Sequence, residues 1–184
     1  MWVWMGLIGV LVLAGLFAVT IYNRLVRAKN LVEEAWSGID VQLKRRTDLI
    51  PNLIETVKGY MQHERGVLDQ VTRLRARSLA AGSVEERASA EGAMSRALGA
   101  LFALAENYPD LKANQNFLEL QSTLTGIEEQ IQLARRYYNG TVRDLNILVE
   151  SFPSNLLASA FGFRKAPFFE IGEEEKAVLK VSFA

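Results

Sequence analysis

Residues 111–151 read LKANQNFLELQSTLTGIEEQIQLARRYYNGTVRDLNILVES, a stretch without proline. Its apolar side chains recur at seven-residue intervals, at Leu124, Ile131, Tyr138 and Leu145, with an adjoining row at Leu120, Ile127 and Ala134. Charged side chains lie between the two rows. A narrow apolar seam with charged shoulders is typical of a helix that packs against other helices. The stretch therefore predicts one long helix of an antiparallel, coiled-coil-like bundle.

Helical spacing of apolar residues continues on the N-terminal side of this stretch and predicts three further helices, at about 24–49, 51–80 and 84–107. Pro51 has no amide hydrogen and disfavours helix before it, so we expect a kink or a break near 48–51. Ser83 followed by Glu86 is a capping-box pattern, which predicts the start of a helix at 84. The predicted fold class is all-α, with a bundle of long antiparallel helices over 24–151.

Residues 1–22 read MWVWMGLIGVLVLAGLFAVTIY and contain no charged side chain. Twenty-two residues of helix reach about 33 Å, enough to cross a hydrocarbon layer of about 30 Å. Because lipid offers the backbone no hydrogen bonds, such a segment should be helical. A cleaved signal peptide is the alternative, but these begin with Lys or Arg and have a shorter apolar core. We expect a retained transmembrane helix over 1–23, with the lipid bilayer as its partner.

The flanking charges predict the orientation of this helix. Arg24, Arg27 and Lys29 follow it directly, and only the α-amine precedes it. By the positive-inside rule, the N-terminus lies outside and the C-terminal part lies in the cytoplasm. The predicted location is the cell membrane, as a single-pass protein.

Composition and motifs argue against several classes of function. The chain has 184 residues, with 21 basic and 21 acidic side chains, one His and no Cys. Zero net charge disfavours nucleic acid as a partner, and the absence of Cys excludes disulfides and nearly all structural zinc sites. No phosphate-binding, nucleophile or zinc-protease motif is present. We therefore predict no catalytic, cofactor-binding or metal-binding residue, and a protein that is not an enzyme.

Several charged residues are candidates for chemistry but have simpler interpretations. His63 beside Glu64 is interpreted as a surface histidine. The pairs Glu33/Glu34 and Glu128/Glu129 are interpreted as exposed charges beside the apolar seams. Arg73, Arg75 and Arg77 lie near the end of a predicted helix, where cations complement the helix dipole. An anionic lipid or an acidic partner is the alternative for these arginines.

The C-terminal tail, 152–184, is rich in aromatic residues: Phe152, Phe161, Phe163, Phe168 and Phe169. Ser154 or Asn155 could cap a short helix that stops at Gly162, and residues 177–183 have a strand-like composition. The tail could fold back onto its own bundle. Alternatively, it could form an exposed docking surface for a neighbouring subunit or for the membrane interface.

Four blocks of the sequence are EAWSGIDVQLKRRTDLIPNLIETVKGY (34–60), ENYPDLKANQNFLELQSTLTGIEEQI (106–131), ARRYYNGTVRDLN (134–146) and SFPSNLLASAFGF (151–163). Taken together and in this order, they resemble the LemA family. The resemblance covers Tyr22 to about Glu170. It implies a single N-terminal membrane helix, N-terminus outside, and a cytoplasmic domain of long antiparallel helices. It brings no catalytic residues, because the family has no established enzymatic activity.

Two kinds of function follow from these observations. The first is a membrane-anchored, self-assembling scaffold, with a second copy of this chain as the expected partner. The second is an adaptor or regulator of a membrane enzyme, such as a membrane protease, with that membrane protein as the partner. The family's association with membrane proteases and, in one branch, with magnetosome membranes is compatible with either function.

Overall fold

The computed structural model describes residues 2–170 and contains six helices there. They are α1 (Trp2–Lys58), α2 (Arg65–Ala80), α3 (Val84–Ala105), α4 (Pro109–Lys112), α5 (Gln115–Glu150) and α6 (Ser154–Ala160). No strand occurs in this part of the chain, so the all-α prediction is confirmed. The strand-like segment predicted at 177–183 lies outside the described residues.

The chain divides into two compact units, and both α1 and α5 contribute to each of them. The first unit contains Met1–Gly38 and Arg136–Pro167, and the second contains Ile39–Arg135 and Phe168–Ala184. These units are defined by packing. The division into 1–23, 24–151 and 152–184 was made by sequence character and stays a prediction.

The second unit is built from neighbouring helices of opposite direction. Arg46 contacts Glu128, and Asn114 Nδ2 donates a hydrogen bond to Tyr60 Oη at 3.1 Å, so α1 and α5 run antiparallel here. The core that α1 and α5 share with α2, α3 and α4 stabilises the unit by about 25 cal/mol per Å² of apolar surface removed from water. Its buried members include Ile50, Leu53, Val57, Met61, Val71, Met94, Leu98, Leu101, Leu111, Phe117 and Leu124.

The apolar seam of α5 is confirmed. All four side chains that recur at seven-residue intervals are buried: Leu124, Ile131, Tyr138 and Leu145. In the adjoining row, Ile127 is also buried. The seven-residue period therefore identified the packed face of this helix correctly.

A kink or a break was predicted near 48–51; the break is wrong, because α1 continues through Pro51, and the kink stays a prediction. A proline at this position cannot donate the helical hydrogen bond to the carbonyl of Thr47. Arg75 of α2 supplies the missing donor, since its Nε donates to Thr47 O at 3.0 Å. Tertiary contact thus compensates locally for the proline, and the helix does not end there.

Two helix boundaries also differ from prediction. The predicted helix 51–80 is wrong as a single element, because α1 ends at Lys58 and residues 59–64 form a turn before α2. The helix predicted to begin at 111 begins instead at Gln115. Asn114 fixes this start, since its Oδ1 accepts a hydrogen bond from Phe117 N at 3.0 Å.

The predicted cap of α3 is confirmed in most respects. Ser83 Oγ accepts a hydrogen bond from Glu86 N at 3.1 Å. The Glu86 carboxylate accepts from Gly82 N at 2.9 Å, one residue earlier than in a standard capping box. The helix ends at Ala105 and not at the predicted 107.

Tyr108 joins the turn before α4 to the turn before α2. Its hydroxyl donates a hydrogen bond to Glu64 Oε1 at 3.2 Å. Desolvation of the hydroxyl and, after it, the negative charge of Glu64 raise the pKa of Tyr108 above its ordinary value. The hydroxyl therefore stays protonated and remains a donor at neutral pH.

In the first unit, residues 21–36 of α1 pack antiparallel against the end of α5. The rings of Trp36 and Tyr138 lie 5.6 Å apart between centroids. Further back along α1, Ile21 and Leu25 form a small core with Ala158 of α6. Partly buried side chains surround this core: Leu148, Val149, Leu157 and Phe163.

Candidate functional site

The first candidate site is the apolar beginning of α1. This helix is long and apolar enough to cross a membrane, with mean hydropathy 2.3 in its most apolar window, and only 6% of that window is buried. Large apolar side chains are exposed on all sides from Trp2 to Val19. Since one turn of helix is 3.6 residues, no single face of this stretch is reserved for protein contacts.

A cluster of aromatic rings surrounds the end of this apolar stretch. Tyr22 is the last aromatic residue before the first charge of the chain. Its ring makes edge-to-face contacts with Phe161 and Phe163 of the tail, with ring centroids 4.8 and 5.9 Å away. Edge-to-face contacts of this kind are favourable because the positive ring edge meets the negative ring face. The tail therefore meets α1 at the boundary between its uncharged and charged parts.

The backbone that follows α6 places these phenylalanines. Gly162 has a φ of 74°, in the left-handed region that glycine adopts at low cost. Phe163 N donates to Ala158 O at 2.9 Å, and Gly162 N donates to Ser159 O at 3.3 Å, which together form a Schellman motif. The predicted end of a short helix at Gly162 is confirmed. The predicted side-chain caps from Ser154 or Asn155 are wrong, because α6 has no side-chain cap bond.

Residues beyond the motif fold back onto α5, as the first interpretation of the tail predicted. Asn146 Oδ1 accepts from Ala166 N at 2.8 Å, and Asn146 Nδ2 donates to Ala166 O at 3.0 Å. Tyr138 Oη donates to Pro167 O at 2.9 Å. Other tail side chains stay exposed, however: Phe152 is 80% and Phe161 59% accessible. Folding back therefore accounts for only part of the aromatic tail.

The second candidate site is a buried ion cluster in the second unit. Arg46 of α1 is 1% exposed and pairs through its two terminal nitrogens with Glu91 of α3 and Glu128 of α5. Glu91 is 2% exposed and Glu128 is half-buried. Burying charges is costly unless they are paired and hydrogen-bonded, so these three helices are held in one relative register.

Two serines add hydrogen bonds to the cluster, whereas Arg46 Nε is buried without a hydrogen-bond partner among residues 2–170. Ser78 donates to the second oxygen of Glu91. Ser95 accepts from Arg46 Nη1 at 2.8 Å and donates to Glu128 Oε1 at 2.8 Å. The cluster carries one positive and two negative charges, and its arginine has almost no contact with solvent. Its geometry is suited to fixing helices and leaves its arginine inaccessible to a substrate.

Sequence reasoning missed this cluster, and the interpretation of Glu128 as an exposed charge is wrong. The reason is that α5 brings Glu128 beside a buried cation that lies far away in sequence. A signal was present: Arg46 follows Leu43 by three residues and precedes Ile50 by four, so it occupies the apolar face of α1. Glu91 occupies the matching position on α3, between Ala88 and Met94. Opposite charges on the buried faces of two helices predict such a pair.

The other charged candidates are separated in the structure. Glu33, Glu34 and Glu129 are exposed, and so is His63, which lies in the turn before α2. Of the arginines near the end of α2, Arg75 donates a hydrogen bond to the carbonyl of Thr47, and Arg77 Nη2 donates to Ser89 Oγ at 3.3 Å. Within residues 2–170 no group of three Asp, Glu or His side chains is arranged to hold a metal ion.

The chain matches one protein family over most of its length. The family model described as "LemA family" matches residues 35–183, well over half of the chain. The chain belongs to the LemA family. The match includes Arg46, Glu91 and Glu128, so the ion cluster lies wholly within the family region.

Curated relatives agree with this assignment. The chain is 26% identical to Protein LemA of Metamycoplasma hominis, over 87% of this chain and 74% of the relative. It is also 23% identical to Magnetosome protein MamQ 2 of Paramagnetospirillum magneticum, over 81% of this chain, and 22% identical to Magnetosome protein MamQ of Magnetospirillum gryphiswaldense, over 80%. The chain spans 64% of the length of each of these two MamQ proteins.

Proposed function

We propose that this LemA-family protein is a membrane-anchored, non-enzymatic scaffold. The beginning of α1 spans the bilayer, and the helical part assembles with further copies of the chain. The observation that carries the proposal is the exposure of apolar side chains all round α1 from Trp2 to Val19. In water this apolar surface would strongly favour aggregation, whereas contact with the hydrocarbon layer of a membrane is energetically favourable for it.

The proposed orientation places the N-terminus outside and the second unit in the cytoplasm. Arg24 and Arg27, which are exposed, and Lys29 follow the apolar stretch. Cations in this position favour the cytoplasmic side of a single-pass helix. Tyr22 sits at the level of the interface, where amphipathic rings are favoured.

Self-assembly is supported by a second heptad row on α5, which we call the α5 stripe: Gly126, Leu133, Gly140 and Ile147. Leu133 and Ile147 are large apolar side chains that are more than half exposed. At both glycines there is open space where a Cβ would lie. Residues seven apart share one side of a helix, so alternating small and large residues offer a second helix a close approach.

The membrane anchor is tested by labelling, because the chain has no native Cys. In intact cells, a membrane-impermeant thiol reagent should modify Trp2→Cys. It should modify Glu34→Cys only after the membrane is permeabilised. Labelling of Glu34→Cys alone in intact cells would reverse the orientation. A wild-type chain released from membranes by alkaline carbonate would exclude the anchor itself.

Assembly is tested by light scattering of the full-length protein in mild detergent. We expect a mass of several protomers for the wild type and a monomer for Leu133→Glu. Leu79→Glu is the matched control, since Leu79 is a similarly exposed leucine on α2 and should leave the mass unchanged. A monomeric wild type would contradict self-assembly. If cross-linking in cells then traps one membrane enzyme, the adaptor function replaces the scaffold.

A further inference from the structure

Three large apolar side chains beside the end of the span stay more than half exposed, although one of them also contacts Tyr22. Phe152 is 80% exposed, Leu156 62% and Phe161 59%. They lie within ten residues of one another in sequence, on and around the short helix α6. We call these three side chains the interfacial patch. Clustered exposed apolar residues of this kind mark a contact surface.

The first unit places the interfacial patch close to the level at which α1 would leave a bilayer. A hydrocarbon layer of about 30 Å accommodates about 20 residues of helix, which from Trp2 extends to about Ile21. Ile21 is also where protein packing begins, since it is buried against Ala158 of α6. Leu156 is two residues from Ala158, and Phe161 touches the ring of Tyr22.

The depth of α6 follows from these contacts. A helix of seven residues is about 10 Å long, and the polar headgroup layer is about 5–7 Å thick on each side of the hydrocarbon. An element held against Ile21 and Tyr22 therefore lies within or directly beside that layer. Apolar side chains at this depth exchange water for the boundary between headgroups and acyl chains.

A cleft beside the patch adds positive charge. Its volume is about 550 Å³, and it is lined by rings and aliphatic side chains together with Lys29 and Arg164. Glu33 also lines it but pairs with Lys29 at 3.7 Å. Arg164 is exposed, and no residue among 2–170 forms an ion pair with it. A cation that lines a partly apolar cleft complements a lipid that has a phosphate head and acyl chains.

We propose that residues 152–164 form a second membrane contact: the interfacial patch enters the headgroup layer, and Arg164 binds the phosphate of an anionic phospholipid in the adjoining cleft. This contact rests on the proposed function, because it requires α1 to be in the bilayer. It fixes the first unit against the membrane surface at two points, where the span alone would leave it free to rotate about α1.

Depth-dependent quenching tests the patch on the full chain in vesicles of phosphatidylcholine and phosphatidylglycerol. A fluorophore is attached to one introduced cysteine at a time: Leu156→Cys in the patch, Leu11→Cys in the span, or Glu34→Cys as control. Glu34 is exposed and lies twelve residues beyond Tyr22 on α1, about 18 Å away. Quenchers on the lipid headgroup should reduce emission from Leu156→Cys several-fold more than from Glu34→Cys.

The three positions separate the two proposals. Equal headgroup quenching at Leu156→Cys and Glu34→Cys, with acyl-chain quenching intact at Leu11→Cys, overturns the second contact and leaves the anchor standing. Loss of acyl-chain quenching at Leu11→Cys overturns the anchor, and the second contact with it.

The phosphate contact is tested with two matched charge removals in the Leu156→Cys background. Headgroup-labelled phosphatidylglycerol should quench more strongly than headgroup-labelled phosphatidylcholine. Arg164→Gln should reduce this preference about fivefold, the equivalent of about 1 kcal/mol for one cation at a membrane surface. Lys165→Gln should reduce it less, because Lys165 already pairs with Glu150 at 2.7 Å. Equal losses from both variants would contradict a specific role for Arg164.

Discussion

From Trp2 to Val19, α1 exposes large apolar side chains in every direction, whereas from Ile39 to Lys58 the same helix buries one face and exposes the other. The first stretch contains no charge. The second contains a buried arginine that is paired with two carboxylates. The difference lies in the surroundings that each stretch favours. The first stretch has apolar surface on all sides, which is favourable in an apolar medium, and the second has one buried face, which is favourable against neighbouring helices.

The largest expected effect comes from placing charge in the first stretch. Changing Leu11 and Leu13 together to Arg should cost about 5–7 kcal/mol of insertion free energy, at about 2.5–3.5 kcal/mol for each arginine near the centre of a span. The double variant should be released by alkaline carbonate, as measured by ultracentrifugation and immunoblotting. Val41→Arg with Asn52→Arg is the control, at exposed positions of the second stretch, and should remain in the membrane pellet. If both variants remain in the membrane pellet, the first stretch does not differ from the second in its need for an apolar medium.

The next effect comes from removing charge from the second stretch. Arg46→Met leaves Glu91 buried without its cation and should lower the free energy of unfolding by about 3–5 kcal/mol. The measurement is urea unfolding in mild detergent, followed by circular dichroism. Arg45→Met is the matched control, because Arg45 is exposed, and it should change stability by less than about 0.5 kcal/mol.

A second substitution identifies the cause of that loss. Adding Glu91→Gln to Arg46→Met removes the uncompensated charge and keeps an acceptor for Ser78. It should recover at least half of the lost stability. If the double variant is no more stable than Arg46→Met, lost packing and not unpaired charge explains the effect.

The smallest expected loss of stability concerns Pro51, which lies within the second stretch of α1. Arg75→Met removes the donor to the buried carbonyl of Thr47 and should cost about 1–3 kcal/mol in the same unfolding measurement. Pro51→Ala restores a backbone donor to that carbonyl. It should therefore stabilise the Arg75→Met chain more than it stabilises the wild type. Equal stabilisation in both backgrounds would show that Arg75 does not compensate for the proline.

Periodicity in the sequence predicted that residues 24–151 are mainly helical and which face of α5 is buried, but not the turn at 59–64 or the start of α5. The seam of α5, the cap at Ser83 and the stop at Gly162 depend on residues close together in the chain, and such local rules carry over directly. The break predicted at Pro51 failed because the compensating donor, Arg75, lies on another helix. No rule of local sequence contains that contact.

Of the candidate sites, one is visible in the local sequence, and the others depend on contacts between residues far apart in the chain. The apolar start of α1 is visible in composition alone, since its first charge is at Arg24. The pairing of Arg46 with Glu91 and Glu128 requires three helices to be assembled. The contact of Phe161 with Tyr22 likewise joins residues far apart in the chain. The sequence could indicate that the aromatic tail packs or docks, but not which of its side chains make contacts and which stay exposed.

The most direct test is a scan of single cysteines along α1 of the full chain in lipid vesicles. Each carries a spin label, and its access to a water-soluble relaxation agent is measured. Positions 5–19 should all be protected, without helical periodicity, because lipid surrounds this stretch. Beyond Arg24, access should rise and oscillate every 3.6 residues, with minima at Leu25, Ala28, Val32 and Ala35. A 3.6-residue oscillation within 5–19, or water access throughout it, would contradict the membrane span.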